Sequence, residues 1–352
     1  MYGDGRDVLL VPRYDGMRQR WVANEIVPTE TDPALFGVDE VCYLGDRVRG
    51  YSLPPLSEQH AYRELVARII ALKKTTGRLF VGALPAVYSL VYDQRLAHDL
   101  LEQAAFDRTR VFDAHPVIAQ LRRCKDAEEI AAIRSAIAVT KDAQAAAAEL
   151  MRAGVKECEI QAALEAVFVR AGCLVPAFAS IVATGKNATI LHYVSHTATL
   201  QAGELVVVDI GASWNGYAAD ITRTYAVDGV MSIRQREIYQ LVAQTQAFVA
   251  SQVAPGMWLR NPQQPTKSLQ HITEQYLSDH GFAKAMPHGI GHFMGLQVHD
   301  VGDTSEPLAP GDVITIEPGI YLPKEGIGVR IEDDYLVTAQ GVQCLSSQIP
   351  KL

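Results

Sequence analysis

The clearest pattern of apolar and polar positions predicts a long helix that begins close to residue 126. In "KDAEEIAAIRSAIAV", Ile130, Ile133 and Ile137 recur at helical spacing and form one apolar stripe. Asp126 and Glu129 precede the stripe with the spacing of a capping box, in which each residue caps the other's backbone N–H. We therefore expect the helix to begin at Asp126.

Two glycines are candidates for the ends of successive helices. Gly154 is the expected stop of the first helix, because glycine adopts the left-handed conformation that commonly follows a helix. A second helix is expected from about residue 156 to Gly172. Together the two helices predict a helical hairpin at the start of the larger part of the chain.

The first part of the chain has a different pattern. Short apolar runs such as "DVLLVP" and "RLFVGA" alternate with a helical pattern at residues 57–73, which is typical of a small α/β unit. We found no catalytic motif in it. We place the domain boundary before the capping box, which gives an N-terminal domain at residues 1–122 and a second domain at residues 123–352.

The second domain repeats itself. The segments "LQAGELVVVDIGA" and "LAPGDVITIEPGI" match position by position, and each follows a pattern for two helices with a glycine in the turn. In this register Asp209 corresponds to Glu317. Asp220 corresponds to Glu332 when the second loop is allowed to be longer. The duplication therefore matches carboxylates with carboxylates, and it also matches a histidine with a histidine, His192 and His299, to within one residue.

The first of these repeats contains a predicted β-hairpin. "VVVDIGA" and "YAADITRT" flank "WNG", and Asn-Gly is a strong signal for a two-residue hairpin turn. With that turn, Asp209 faces Thr222 and Asp220 faces Gly211, so the two carboxylates are diagonal neighbours on one face. On a half-buried face the two carboxylates repel each other and lose hydration. This arrangement is unfavourable unless a cation lies between the side chains.

A single aspartate in such a strand is more often a hydrogen-bonded turn carboxylate than a metal ligand. Two on one face, mirrored by Glu317 and Glu332 in apolar strand contexts, favour the metal site instead. Four carboxylates and a histidine form an oxygen-rich pocket that suits divalent ions, with manganese a good candidate, rather than structural zinc. Two cations bridged by carboxylates would have the geometry of a two-metal hydrolase.

Composition narrows the class of protein. The chain has 352 residues, 48% hydrophobic and 20% charged, which is typical of a globular protein with an ample core. The net charge of −8 gives no reason to expect nucleic acid or an anionic membrane as a partner. No secretory signal or membrane span is evident, and the five scattered cysteines predict buried thiols in a reducing compartment, so we expect a cytoplasmic protein.

The ordered motifs resemble a known family. "VVVDIGA", "AADITRT", "HGIGHFMGLQVHD", "TIEPGIY" and "GVRIEDD" occur in the order found in the pita-bread metallopeptidases, and within them in the Xaa-Pro branch of aminopeptidase P and prolidase. The resemblance extends from about residue 110 to the last residue. It implies an α+β, pita-bread (creatinase/aminopeptidase) catalytic domain with an internal duplication, preceded by a smaller α/β domain.

The resemblance implies which residues hold the metals. Five ligands carry over by motif: Asp209, Asp220, His292, Glu317 and Glu332. In the family pattern Asp220 and Glu332 bridge two divalent ions, Asp209 belongs to one ion and His292 to the other. Glu317 would also help to deprotonate the attacking water. We expect two Mn²⁺ ions, with Co²⁺ or Zn²⁺ as alternatives.

The resemblance also implies residues that act on the substrate. His192 and His299 match histidines that orient the peptide and stabilise or transfer charge, so we assign them as catalytic. Arg330 is a further catalytic candidate that pairs with a carboxylate. His288 and Tyr321 are expected to bind substrate, with Tyr321 donating a hydrogen bond to the tetrahedral intermediate.

Three of these assignments have a structural alternative. His288 could do no more than hydrogen-bond backbone in its glycine-rich segment. Arg330 could be a structural clamp on Asp333 or Asp334. Tyr321 could be a packing residue.

The implied activity is removal of the N-terminal residue from peptides with proline at the second position. The alternative is an Xaa-Pro dipeptidase, and "VGDTSEPLAPGD" lacks the arginine that prolidases commonly carry there, which favours the aminopeptidase. A non-enzymatic pita-bread peptide-binding module, a metal-free hydrolase of the creatinase type and methionine aminopeptidase fit less well. A homodimer is expected.

The match to the family has two gaps. The N-terminal domain is expected to be shortened relative to two-domain relatives, which leaves the substrate length limit and the oligomeric contacts open. His196 and His271 match no family histidine, and we expect them on the surface.

Overall fold

The computed structural model describes residues 6–14, 26–48, 59–75, 79–81, 98–302 and 306–351. The chain divides into two compact units, Met1–Ile118 and Ala119–Leu352. The boundary that we placed between residues 122 and 123 lies slightly further along, inside the helix that spans the division.

The N-terminal unit contains short parallel strand pairs and a helix. Strand β1 (Val8–Val11) pairs with β2 (Glu40–Tyr43), helix α1 covers Arg63–Thr75, and β3 (Leu79–Val81) pairs with β4 (Val111–Asp113). Strands β1 and β3 lie in the two predicted apolar runs. A 3₁₀ turn precedes α1, and residues 57 and 58 of the predicted helix lie outside the described residues.

Helices open each half of the second unit, as the duplication predicts. Among the described residues from 115 onward the helices are α2 (His115–Arg123), α3 (Ala127–Ala148), α4 (Glu157–Arg170), α5 (Ile233–Gln252) and α6 (Leu269–Asp279). The capping box is confirmed, since Asp126 accepts from the N–H of Glu129 and the Glu129 side chain accepts from the N–H of Asp126.

The prediction for Gly154 is wrong. Helix α3 ends at Ala148, and its C-cap is Glu149 in a right-handed conformation. Gly154 lies in the connection that follows, with a φ of +91°, and its N–H donates to the Leu200 carbonyl. The second helix ends as predicted, with Gly172 at φ +89° just beyond Arg170.

Two antiparallel sheets carry the repeated segments. In the first half the strands are β5 (Ile181–Thr184), β6 (Leu205–Ile210), β7 (Ser213–Trp214), β8 (Tyr217–Ala218) and β9 (Ile221–Ala226). In the second half they are β10 (Val313–Ile316), β11 (Gly319–Leu322), β12 (Ile327–Arg330), β13 (Asp333–Thr338) and β14 (Gly341–Cys344). The strand orders are β5-β6-β9 and β10-β13-β14, with β7-β8 and β11-β12 as separate ribbons.

The predicted hairpin register is confirmed. Asp209 pairs with Thr222 across β6 and β9, and Trp214 pairs with Tyr217 across the turn. Asn215 and Gly216 have φ values of +49° and +85°, the positive angles that a type I′ turn requires at both central positions. Local sequence therefore sets the relative position of the two aspartates.

A buried glutamine in each half joins the long helix to the sheet. Gln144 of α3 donates to the carbonyls of Val208 and Ile221, and Gln246 of α5 donates to the carbonyls of Ile316 and Ile331. Both side chains are almost fully buried. Each of the four carbonyls belongs to the residue next to one of the duplicated carboxylates, so the two helices hold the backbone at those positions.

Two further predictions from the sequence concern membrane spans and the cysteines. Among the described helices none is long and apolar enough to cross a membrane. All five cysteines are free thiols, but Cys124 and Cys158 are exposed rather than buried.

We expect Ile137→Ala to lower the free energy of unfolding by about 2–5 kcal/mol, because Ile137 is fully buried between α3 and the sheet and its truncation leaves a cavity. Ser135→Ala on the same helix is the matched control, because Ser135 is only partly buried, and it should change stability by less than about 0.5 kcal/mol. Urea denaturation followed by circular dichroism measures both. Equal losses in the two variants would contradict the core assignment.

Candidate metal centre

Four elements of the second unit bring the predicted ligands together. Asp209 lies near the end of β6, Asp220 directly precedes β9, Glu317 directly follows β10, and Glu332 lies between β12 and β13. We call these four residues the acidic cluster. The fifth predicted ligand, His292, lies in a stretch without regular structure at residues 287–300.

The His292 segment is held against the edge of β10 by backbone hydrogen bonds. Thr315 N–H donates to the His292 carbonyl at 2.9 Å, and Glu317 N–H donates to the Ile290 carbonyl at 2.9 Å. A Cβ on Gly291 would lie 2.0 Å from the Thr315 carbonyl oxygen, so only glycine permits this approach. The glycine-rich composition of the segment therefore serves to bring His292 beside Glu317.

The imidazole of His292 faces three members of the acidic cluster. Its Nε2 lies 3.3 Å from Asp220 Oδ2, 3.7 Å from Glu317 Oε1 and 4.0 Å from Glu332 Oε1. Its Nδ1 lies 3.1 Å from the carbonyl oxygen of Phe293. Because a carbonyl oxygen can only accept a hydrogen bond, Nδ1 carries the hydrogen, and Nε2 has a free lone pair. This is the tautomer that a metal ligand needs.

Burial and mutual repulsion raise the pKa values of Asp220, Glu317 and Glu332. Burial is the main cause for Asp220, followed by the charges of Asp209, Asp334 and Glu317, and its pKa lies well above the usual range. Burial and the charge of Asp220 do the same for Glu332. Burial raises the pKa of Glu317 to about 7, although His292 and Arg330 partly oppose it.

The cluster fits a cation chemically. Within the described residues, Asp209 Oδ1, Asp220 Oδ1 and Glu332 Oε1 are buried oxygens with no hydrogen-bond partner. Buried carboxylate oxygens without donors are costly unless a positive charge balances them. The single large cation beside them, Arg330, contacts only Asp209 directly among the four carboxylates. The arrangement therefore suits divalent ions bound by oxygen and one imidazole.

Arg330 connects the cluster to its surroundings. It donates to Asp209 Oδ2 at 2.6 Å, to Tyr321 Oη at 2.8 Å and to Thr222 Oγ1 at 3.1 Å. Thr222 in turn donates to Glu332 Oε2 at 2.8 Å. The side chain thus fixes one oxygen of each of two carboxylates, directly or through a hydroxyl.

The alternative that Arg330 clamps Asp333 or Asp334 is wrong. Arg223 pairs with Asp333 at 2.7 Å, and Asp334 accepts from the N–H of Asp220 at 3.2 Å. Sequence reasoning did not identify Arg223 or Asp334 as parts of the site. The available signal was their position in the sequence, since Arg223 lies three residues after Asp220 and Asp334 lies two residues after Glu332.

His288 and Tyr321 form an ordered chain of hydrogen bonds behind Arg330. Arginine can only donate, so Tyr321 Oη accepts from it and directs its own hydrogen to His288 Nε2 at 2.9 Å. His288 Nδ1 then donates to the Gly289 carbonyl at 2.8 Å. Burial lowers the pKa of His288 to about 4, which keeps it neutral, and raises the pKa of Tyr321 to about 12.

His288 does more than hydrogen-bond the backbone, and Tyr321 does more than pack. Tyr321 makes two polar contacts in addition to its packing, and His288 bonds both the backbone and Tyr321. His288 also lines the cavity described below. Contact of His288 and Tyr321 with substrate stays a prediction.

A cavity of about 570 Å³ opens onto the acidic cluster. It is lined by His192 and His299 as well as by His288, His292, Arg330 and all four carboxylates. The ring centroids of His292 and His299 are 4.3 Å apart in an edge-to-face arrangement. Burial, followed by the charges of His292 and His192, lowers the pKa of His299. The two histidines that the duplication matches, His192 and His299, therefore line one cavity. Tyr321 is not among the lining residues.

The prediction that His196 is a surface residue is wrong. Its side chain is buried and its Nε2 accepts from the N–H of Val182 at 3.3 Å, with the residue in a left-handed conformation at φ +50°. His271 is partly buried and bonds Ser268 at the start of α6. Neither residue lines the cavity.

The family follows from a comparison of the chain with known protein families. The model of metallopeptidase family M24 matches residues 131–339, which is more than half of the chain and includes every residue of the acidic cluster. The chain belongs to metallopeptidase family M24. The expected α+β pita-bread fold is confirmed, and family membership implies divalent metal ions at this site.

Individual relatives of this M24 chain come from two enzyme types. It is similar to the Xaa-Pro aminopeptidase of Haemophilus influenzae, with 34% identity over 294 residues that cover 76% of this chain and 68% of that protein. It is also similar to the Xaa-Pro dipeptidase of Pyrococcus furiosus, with 38% identity over 234 residues and 65% coverage of each. Among solved structures, proline aminopeptidase P II of Yersinia pestis superposes with a TM-score of 0.80 and 27% identity, covering 99% of this chain and 81% of that one.

We expect divalent cations to displace protons from the metal-free protein, and more at pH 6 than at pH 8. Glu317 has a pKa of about 7, so it is mostly protonated at pH 6 and mostly ionised at pH 8, and a cation needs the ionised form. Titration calorimetry with MnCl₂ in buffers of different ionisation enthalpy counts these protons. Equal release at the two pH values would contradict the raised pKa.

The same shift predicts the pH dependence of stability. Between the ordinary pKa of 4.5 and the native value of about 7, the folded metal-free protein binds more protons at Glu317 than the unfolded chain does. The free energy of unfolding should therefore fall as pH rises through this interval. Thermal melts of metal-free protein between pH 4.5 and 8 measure it, and saturating MnCl₂ should remove the decline.

Proposed function

We propose that the protein is a dinuclear-metal hydrolase that removes the N-terminal residue from peptides with proline at the second position. The observation that carries the proposal is the acidic cluster, which lies with His292, His192 and His299 around one cavity. The aminopeptidase relatives supply the substrate class. The cluster alone supports metal-assisted hydrolysis without a preference for proline.

For the metals we propose two Mn²⁺ ions, with Co²⁺ and Zn²⁺ as alternatives. His292 approaches Asp220, Glu317 and Glu332 within 4.0 Å, which supports one ion on that side. Asp209 is fixed by Arg330 on the other side, and its charge is among the causes of the raised pKa of Asp220. Asp220 and Glu332 both lie within 4.0 Å of His292, and the charge of Asp209 acts on both, so they are the residues that would hold both ions.

A bound pair of divalent ions supplies Lewis-acid polarisation of the peptide carbonyl and lowers the pKa of water. Glu317 is the proposed general base, because it is a carboxylate in the cavity wall and can accept a proton from water near neutral pH. His299 has a lowered pKa and is neutral at that pH, so its ring has one N–H that can donate to the carbonyl oxygen. His192 is proposed to orient the peptide or to transfer a proton to the leaving nitrogen.

The preference for proline has a physical rationale in the cavity. An Xaa-Pro bond lacks the N–H that a peptidase would bind in an extended substrate, so recognition must rest on the ring. Phe178, Ile181, Leu191, Val194 and Val298 form the apolar part of the cavity wall. These side chains are suited to contact with a pyrrolidine ring next to the polar cluster.

The aminopeptidase is favoured over the dipeptidase by the charges of the cavity. Among the described lining residues Arg330 is the one lysine or arginine, and its guanidinium already bonds Asp209, Tyr321 and Thr222. A dipeptide would bring a carboxylate terminus into a cavity in which no lysine or arginine of the described lining is free to pair with it. Residues 301–312 contain no arginine or lysine either, although residues 303–305 lie outside the described part of the chain.

Other expectations belong to the same proposal. The homodimer, the cytoplasmic location and the lack of nucleic-acid or membrane partners stay predictions, with the net charge of −8 as support for the exclusion of nucleic acid. The alternative of a non-enzymatic peptide-binding module is disfavoured, because this chain has a full set of carboxylates and a histidine at the site.

We expect the Mn²⁺-loaded protein to release the first residue from an Xaa-Pro-Xaa tripeptide and to act much more slowly on the Xaa-Pro dipeptide. The reason is that no lysine or arginine of the described cavity lining is free to pair with the dipeptide carboxylate. Chromatographic quantification of the released amino acid measures both rates, with Xaa-Ala-Xaa as the control substrate. Cleavage of the dipeptide alone would exclude the aminopeptidase, and no cleavage of any peptide would exclude the peptidase.

We expect Glu317→Gln to lower kcat by about 10²- to 10⁴-fold, because the amide cannot accept a proton from water. Glu325→Gln is the matched control in the same half of the domain, since Glu325 is ion-paired to Arg234 at the surface. Its kcat should stay close to that of the wild type. Full activity of the Glu317 variant would refute the assignment of this residue.

A further inference from the structure

Glu157, the first residue of α4, is a buried carboxylate with an unusual set of partners. Its side chain is fully buried and accepts four hydrogen bonds, none of them from a lysine or arginine. The donors are Thr184 N–H at 2.9 Å, Asn187 Nδ2 at 3.1 Å, Tyr193 Oη at 2.8 Å and Ala198 N–H at 2.9 Å. Neutral donors that fill both oxygens can hold a buried carboxylate, but only if each of them is in place.

All four donors belong to one segment, residues 184–198, which we call the His192 segment. Thr184 and Ala198 are its two ends, so Glu157 fastens both ends to the start of α4. Tyr193 is the neighbour of His192 in the chain, and its hydroxyl is bonded to Glu157 Oε2. The segment therefore forms a closed loop around one carboxylate.

His192 depends on this loop for its position. It is exposed and lines the cavity, and no hydrogen bond from its ring to another described residue is present. The loop also packs against β12, where a Cβ on Gly328 would lie 2.0 Å from the Ala188 carbonyl. The side chain of His192 is thus placed by the backbone that Glu157 holds, and by no direct partner of its own.

The other half of the duplication has a similar arrangement. Gln270, in the first turn of α6, accepts from the N–H of Ile290 at 2.7 Å, and its Nε2 lies 3.5 Å from the His288 carbonyl. In both halves, therefore, a buried polar side chain at the start of the second helix bonds the backbone of a segment that carries cavity histidines. The repetition indicates a shared role in the placement of those histidines.

We propose that Glu157 is a positioning residue that orients His192 toward the substrate by closing the His192 segment. The proposal rests on the proposed peptidase function for its catalytic consequence. Glu157 lies on α4 and is not among the residues that line the cavity. Its effect on turnover passes through His192.

The test is Glu157→Gln, which replaces one acceptor oxygen by an NH₂ group that faces two donors. We expect kcat/KM for an Xaa-Pro-Xaa tripeptide to fall about 10- to 100-fold, as for a misplaced catalytic group, with the content of bound Mn²⁺ unchanged. Glu159→Gln is the matched control, because Glu159 is an exposed carboxylate of the same helix that accepts from the N–H of Lys156. It should change kcat/KM by less than about 2-fold, as surface substitutions do.

A double-mutant cycle separates positioning from general destabilisation. In a His192→Ala background, Glu157→Gln should lower kcat/KM by less than about 3-fold, since residues that act as a unit are not additive. Equal effects of Glu157→Gln with and without His192 would overturn the proposal. Tyr193→Phe removes a single donor and provides the same cycle if Glu157→Gln does not fold.

A readout that does not need turnover distinguishes this proposal from the proposed function. Hydrogen exchange should be faster at the amides of residues 185–198 in Glu157→Gln than in the wild type, and unchanged in the His292 segment. Unchanged exchange in residues 185–198 would overturn the positioning role even in an active enzyme. If the wild type has no peptidase activity but Glu157→Gln still shows that selective loss of protection, the proposed function is refuted and Glu157 is retained as the residue that holds the His192 segment.

Discussion

Repulsion among four neighbouring carboxylates, three of them buried, is the constraint on which the rest of this structure depends. Asp209, Asp220, Glu317 and Glu332 converge on one cavity, and burial together with their mutual charge raises the pKa of the last three. Such a cluster is unfavourable in a folded protein unless cations balance it. The same property that costs stability makes the cluster an effective site for divalent metal ions.

The scaffold holds these groups at positions to which they would not relax by themselves. Gln144 and Gln246 bond the carbonyls next to the four carboxylates, and Arg330 fixes Asp209 directly and Glu332 through Thr222. These contacts use neutral donors and one guanidinium, so they restrain the cluster without neutralising it. The charge therefore stays available for metal ions, which is what a metallopeptidase of family M24 requires.

Much of this could be predicted from the sequence, because the signals are local. The capping box of Asp126 and Glu129 and the Asn-Gly turn each involve residues a few positions apart, and both are confirmed. The duplication extended the argument from Asp209 and Asp220 to Glu317 and Glu332 without any knowledge of their contacts. The error at Gly154 arose where a local signal was present but a tertiary contact, to Leu200, used it differently.

The resemblance of the motifs to the pita-bread metallopeptidases indicated the fold. By itself the sequence determined the helix that begins at Asp126, the β-hairpin that carries Asp209 and Asp220, and the residue types that gather at the metal centre. Short-range hydrogen bonding, hydrophobic spacing and internal repetition are sufficient for those features. Only the tertiary structure decided which partner each charged side chain takes: Arg330 pairs with Asp209 rather than Asp333, and Glu157 holds the His192 segment. Those contacts join groups that are distant along the chain, and their energies depend on burial and on distances that no sequence pattern specifies.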